Sequence, residues 1–238
     1  MRVPYGFEPI ENCQSCKICA NGFFCQLSPA ATKDFNAVKS SATYPSSAIL
    51  FLEKQDPRGV FMLCAGQVKL SISSGAGKTL ILRIAKPGET LGLMATMSNT
   101  PYEVTAETLH PCQVAFIRRE DFVRFAAKHP EAYQAVVQQL STLYSGACKQ
   151  LRTVGLSASA PEKLARLFLE WTAKVKDGKK EAPIKMPLTH EEIAEFIGTT
   201  RETVTRTLSE FKSKQLVTLQ GSSLQISNRP ALEAIGYQ

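Results

Sequence analysis

Residues 188–227 read LTHEEIAEFIGTTRETVTRTLSEFKSKQLVTLQGSSLQIS, and this stretch decides the kind of protein. Thr189 followed three places later by Glu192 is the pattern of a capping box, in which each residue's side chain satisfies the other's backbone N–H. It predicts a short helix with Ile193, Ala194 and Ile197 inward, ended by Gly198. Thr199 followed by Glu202 repeats the pattern and predicts a second helix that buries Val204, Leu208 and Phe211. Two short helices joined by a glycine turn form a helix-turn-helix, whose second helix can enter the DNA major groove. LVTLQGSSLQIS then predicts a hairpin around Gly221 and Ser222, which makes the motif winged.

If Val204, Leu208 and Phe211 face the core, then Arg201, Glu202, Thr205 and Arg206 lie on the outer face near the N-terminus of the second helix. That end meets base edges in helix-turn-helix proteins. Arginine grips guanine O6 and N7 with a bidentate fork, glutamate accepts from the cytosine amino group, and threonine contacts a base or the thymine methyl. The four are therefore candidate base readers. Three of them have a plainer role open: Glu202 as a capping residue, the two arginines as phosphate contacts or solubilising groups.

Working back along the chain, PEKLARLFLEWTAKV (161–175) reads as an amphipathic helix with Leu164, Leu167, Phe168 and Trp171 on one face. GLSASAP (155–161) reads as a hinge. Pro130 fits the first turn of a long helix, and no further proline occurs before Pro161. Val136, Leu140, Leu143, Ala147, Leu151 and Val154 recur every three or four residues along it. At 26 residues such a helix is about 39 Å long, too long for one small sheet structure to cover, so the stripe is expected to pack against a second copy of the chain.

From Ser28 to Arg118 the pattern is short and alternating: AILFLEK, GVFMLCAGQVKLSIS, KTLILRIA and PCQVAFI, separated by Gly, Pro, Asn and Ser. Antiparallel strands in a β-sandwich or β-roll follow. SGAGKT is no phosphate loop, because the first glycine of that motif would fall on Ile72, and Gly75 and Gly77 read as hairpin residues.

The N-terminus carries CQSCKICANGFFC, with Cys13, Cys16, Cys19 and Cys25. At 238 residues and 44% hydrophobic the chain has no need of a disulfide framework. It has no signal-like leader and no apolar run of membrane-spanning length, so a cytoplasmic location is expected. In that reducing setting, clustered thiols point to iron-sulfur or zinc. Cys64 and Cys148 read as packing thiols. The three histidines, His110, His129 and His190, sit in no catalytic motif, so no enzyme is expected. The net charge of +7 suits a polyanionic partner, but from residue 159 onward 12 Lys and Arg face 10 Asp and Glu, so the DNA reading rests on the motif.

The order of parts resembles the transcription regulators of the CRP/FNR superfamily from Cys16 nearly to the end. The resemblance implies an α+β fold in four parts: an N-terminal cysteine arm (1–28), an antiparallel β-roll of the cyclic-nucleotide-binding jelly-roll kind (29–129), a dimerisation helix and hinge (130–158), and a winged helix-turn-helix (159–238). The cyclic-AMP branch holds the nucleotide phosphate with an Arg-Ser pair, which NTPYEVTAET (99–108) lacks, so no cyclic nucleotide is expected. The FNR branch has a C-x2-C-x5-C arm, matched by Cys16, Cys19 and Cys25, and an internal cysteine in a Cys-polar-aliphatic-x-Phe strand, matched by Cys112 in PCQVAF. The resemblance thus implies a [4Fe-4S] cluster on Cys16, Cys19, Cys25 and Cys112, an oxygen- or redox-sensitive switch, a homodimer on a palindromic site, and RNA polymerase as a partner. Cys13 leaves an arm-only set of Cys13, Cys16, Cys19 and Cys25 open. A structural zinc or a cluster-free arm in a regulator of another ligand is the alternative. SGACKQLR (145–152) lacks the acidic residue of FNR-type dimer helices, so dimerisation is expected to depend less on the cluster.

Overall fold

A computed structural model describes residues 13, 22, 24, 27–156, 159–172 and 183–237; Cys16, Cys19 and Cys25 lie outside the described residues. The chain divides into two compact units, Met1–Ala147 and Cys148–Gln238.

In the first unit two four-stranded antiparallel sheets face each other. One has the order β1 (Ser40–Tyr44), β8 (Cys112–Arg118), β3 (Gly59–Ala65), β6 (Thr90–Leu91). The other has the order β2 (Ile49–Phe51), β7 (Thr105–Thr108), β4 (Val68–Ser73), β5 (Thr79–Ala85). The long apolar run 59–73 becomes two strands because Gly66 turns it at φ +91°, a conformation glycine adopts without cost. Space forbids a side chain there as well: a Cβ on Gly66 would lie 2.5 Å from Cys112 Sγ and 2.6 Å from the Pro111 carbonyl oxygen. Gly77 completes the β4–β5 hairpin as expected.

Successive side chains of a strand point to opposite faces, and β3 and β8 each serve two cores in this way. Phe61, Leu63, Cys112 and Val114 fill the space between the sheets with Phe51, Leu70, Leu91 and Tyr102. Val60, Met62, Cys64, Ala115 and Ile117 face the other way, against Phe35 of α1 (Pro29–Val38), Phe122 and Phe125 of α3 (Arg119–Lys128), and Ala132, Ala135 and Val136 of α4 (Pro130–Gly155). Tyr102 closes the inner core: its hydroxyl donates to the Gly59 carbonyl at 2.6 Å and accepts from the Gly59 N–H at 3.2 Å, and its ring stacks on Phe51. Asp34 ties α1 to α3 through Lys128 at 2.7 Å and His129 at 2.9 Å. A short helix, α2 (Leu93–Ser98), follows β6.

The long helix has its expected 26 residues. The expected stripe divides: Val136 and Leu140 pack against the first unit's own core, while Ala147 and Leu151 are exposed. Val136 belongs to the first unit's own core, whereas Val137, Tyr144 and Leu151, at intervals of seven, are 61%, 74% and 71% exposed. Ala147, exposed as well, falls between the last two. The first half of α4 therefore carries two apolar stripes, one inward and one outward, and spacing in sequence alone merged them.

The second unit opens with α5 (Ala160–Thr172), which buries Leu164, Leu167 and Phe168 as expected, with Trp171 half-buried against Phe168. α6 (His190–Ile197) and α7 (Arg201–Ser213) are joined through Gly198 at φ +67°. β10 (Val217–Gln220) and β11 (Ser223–Ile226) make the wing around Gly221. Two elements went unforeseen: β9 (Ile184–Lys185), which pairs with β11, and α8 (Arg229–Gly236), started by Asn228, whose side chain accepts from the Ala231 N–H at 3.1 Å.

Candidate functional site

The helix-turn-helix is built from its caps outward. Thr189 and Glu192 form the expected reciprocal box at the start of α6. The second box does not form. Thr199 is still engaged in ending α6, its N–H bonded to the Ala194 carbonyl at 2.9 Å, so the cap of α7 falls one residue later, on Thr200, whose hydroxyl accepts from the Thr203 N–H at 3.3 Å. This moves Glu202 to the second position of α7. There its own backbone N–H, the Thr200 hydroxyl and then Arg201 hold its carboxyl below the usual carboxylate range. Glu202 is thus an ionised acceptor at the tip of the helix.

α7 buries Val204, Leu208 and Phe211, as the spacing required, and also Thr207. Arg201, Glu202, Thr205 and Arg206 are all exposed and share the opposite face. One contact on that face was not foreseen. The Nδ1 of His190, the first residue of α6, lies 3.2 Å from the Thr205 hydroxyl, fifteen residues on. Sequence reading considered His190 only as a catalytic group. The signal available was its place at the head of the first helix, just after the capping threonine, where a folded-back second helix brings its first turns close.

Among the described residues, Cys13 and Cys64 fall on one side of a sheet and Cys112 on the other. Cys13 is buried with Phe24 in the helix-covered core; its N–H donates to Asn36 Oδ1 at 3.3 Å, and Lys39 Nζ donates to its sulfur at 3.2 Å. Phe24 stacks on Phe35 and meets Phe122 edge-on, so this aromatic anchors the arm to the roll. Cys64 is buried in the same core, and Cys148 is half-exposed. Cys112 faces the other way, fully buried between the sheets. Its thiol lies 3.1 Å from the His110 carbonyl and 3.3 Å from that of Gln67, and burial pushes its pKa up. Two carbonyl oxygens favour a proton on that sulfur and disfavour a thiolate.

Four thiols suit an iron-sulfur cluster chemically. Cys112 lies in the core between the sheets, whereas Cys13 and Phe24 pack in the core on the opposite face; its distance to Cys16, Cys19 and Cys25 lies outside the described residues. Among the described residues no three His, Cys, Asp or Glu side chains form a metal-holding group. Between the sheets the space is filled by Phe51, Phe61, Tyr102 and Phe116, and Arg83 is paired with Glu89 at the rim. No helix among the described residues is long and apolar enough to cross a membrane.

Two family matches cover the two units. Residues 42–129 match the cyclic nucleotide-binding domain, and residues 162–235 match the Crp-like helix-turn-helix domain. The transcriptional activatory protein AadR of Rhodopseudomonas palustris is 24% identical over 212 residues, covering 88% of this chain and 87% of AadR. A CRP-like cAMP-activated global transcriptional regulator of Mycobacterium tuberculosis is 22% identical, covering 89% of this chain and 94% of its own. The structure of FixK2 from Bradyrhizobium japonicum superposes with a TM-score of 0.73 at 19% identity, over 84% of this chain and 98% of that one. The relatives are transcription regulators and not enzymes. With a roll followed by this helix-turn-helix, the chain belongs to the CRP/FNR family of DNA-binding transcription regulators.

Proposed function

We propose that this regulator is a cytoplasmic homodimer that reads a palindromic operator through Arg201, Glu202, Thr205 and Arg206, recruits RNA polymerase, and is switched by an oxygen- or redox-sensitive [4Fe-4S] cluster on its cysteine arm. One observation carries the reading: Cys13 and Phe24 share a core with Ala132, Ala135 and Val136 of α4. A change in the arm therefore presses directly on the helix whose other side carries the exposed Val137, Tyr144 and Leu151 stripe. That stripe, repeating every seven residues, suits a two-stranded coiled coil, and a two-fold dimer reads a two-fold site.

When bound, the cluster would supply an oxidant-labile centre. Cys16, Cys19 and Cys25 would hold it, and the placement of Cys13 favours the arm-only set over Cys112. Lys39, at 3.2 Å from the Cys13 sulfur, contributes a positive charge beside anionic thiolates. The filled interior around Tyr102, with no Arg-Ser pair in 99–108, supports regulation without a cyclic nucleotide.

The test is iron, sulfide and zinc content with a visible spectrum, on protein purified without oxygen and again after air. About four irons per chain and a colour that bleaches in air are expected. Zinc, or no metal, would replace the oxygen switch with a structural arm and another signal. Cys13→Ser should lose the iron while Cys112→Ser keeps it; the reverse would restore Cys112 as the fourth ligand.

A further inference from the structure

We propose that His190 decides which hydrogen-bonding partner Thr205 offers to a base, so that the operator preference of α7 depends on the protonation of a residue in α6. The inference rests on the reading that Thr205 faces a base edge.

A threonine hydroxyl carries one proton and two lone pairs, and it can read either kind of base group. Alone it discriminates poorly. On α7 it is not alone, because the His190 Nδ1 lies 3.2 Å from Thr205 Oγ1. A ring nitrogen without a proton accepts from the hydroxyl. The single hydroxyl proton is then spent on the ring, and what faces the groove is lone pairs, complementary to the amino groups of cytosine N4 and adenine N6. A ring nitrogen bearing a proton donates to the same oxygen. The hydroxyl proton is then released toward the groove, complementary to guanine O6 and N7 or thymine O4. With the neutral ring in its Nε2–H tautomer, one added proton on Nδ1 thus inverts the reading at one base pair in each half-site.

The local structure keeps both groups in place. His190 follows the Thr189 cap, and the capping box fixes the first turn of α6. Thr205 lies on the second turn of α7, whose start is fixed by Thr200. One turn further on, Ser209 turns its hydroxyl back to the Thr205 carbonyl at 3.0 Å, the ordinary habit of a hydroxyl in a helix. Thr205 instead has a partner on another helix.

The charged groups around the pair belong to three helices. Glu191 and Glu192 follow His190 on α6, the second engaged by Thr189. Arg201, Glu202 and Arg206 surround Thr205 on α7. Glu162 and Arg166 of α5, which also packs on α6, are paired with each other at 2.7 Å.

The experiment is selection of preferred duplexes from a randomised library at pH 6 and pH 8, with full-length protein purified without oxygen. It compares the unsubstituted chain with His190→Ala, His190→Gln and Thr205→Ala. At one base pair of each half-site the preference of the unsubstituted protein is expected to shift about 3- to 10-fold between the two pH values, the scale of one hydrogen bond. His190→Gln keeps a partner for the hydroxyl but does not titrate, and its preference should stay fixed. Thr205→Ala should erase the preference at that same base pair. If His190→Ala weakens all duplexes equally, or retains the pH-dependent shift, the proposal is overturned. If Thr205→Ala leaves every base preference intact, the reading of Thr205 as a base contact falls first and takes the proposal with it.

Discussion

Gln139 of α4 holds the backbone of Thr90 on β6 with both ends of one amide: its Oε1 accepts from the Thr90 N–H at 3.2 Å, and its Nε2 donates to the Thr90 carbonyl. Gln139 is 1% exposed, so no water substitutes for either bond. An edge strand of the roll and the long helix are joined in a fixed register by this contact.

Gln139→Leu keeps the volume and leaves two buried backbone groups without partners. It should destabilise the first unit by about 2–4 kcal/mol. The single tryptophan, Trp171, lies in the second unit and gives a clean control. In urea, far-ultraviolet circular dichroism should show an early transition, while the Trp171 fluorescence transition stays where it was.

Gly66→Ala combines a left-handed backbone with a Cβ that collides with the Cys112 sulfur and the Pro111 carbonyl. A loss of about 3 kcal/mol is expected. Adding Cys112→Ala relieves only the sulfur contact, so the double variant should remain well below the unsubstituted protein in thermal unfolding.

Asp34 carries a carboxyl held below the usual carboxylate range, first by Lys128 and then by His129. A lowered pKa contributes stability above the ordinary carboxylate value, and the contribution is lost as pH falls through the lowered one. Acid unfolding below about pH 4 should therefore be steeper in the unsubstituted protein than in Asp34→Asn. The pH dependence of the unfolding midpoint of the two proteins checks this.

Tyr144→Glu with Leu151→Glu places two charges on the exposed stripe of α4 and touches no buried side chain. Sedimentation should report a monomer for this variant and a dimer for the unsubstituted chain, with circular dichroism unchanged. A dimer that survives both charges would move the self-association surface elsewhere.

Arg206→Ala should cost about 1–3 kcal/mol toward the selected operator and much less toward random DNA. Competition binding at one fixed salt concentration measures the difference.

Much of the second unit was legible because helix ends are written locally. Thr189 with Glu192 names a cap, and Gly198 names a stop. The second cap was misplaced by one residue because Thr199 serves the end of α6, and a pattern cannot show which of two helices uses a shared N–H. The length of α4 was legible from the interval between Pro130 and the 155–161 hinge. Its outward face was not, since Val136 and Val137 fit overlapping stripes and only the roll decides which one turns inward. The cysteines show the same limit. Alternation in β8 tells that Cys112, Val114 and Phe116 share a face, yet nothing local tells whether that face meets the arm or the interior. The His190–Thr205 contact joins two elements across a turn, and neither residue announces it.

α4 runs from Pro130 to Gly155 with no proline after its first residue, so its hydrogen-bonded ladder is continuous. In the proposed switch, binding free energies are reciprocal by thermodynamic necessity: whatever factor the arm's state contributed to operator affinity, operator occupancy would return to the arm. The promoter would then be part of the sensor, and the threshold of the switch would be set by how much DNA is bound as well as by the signal.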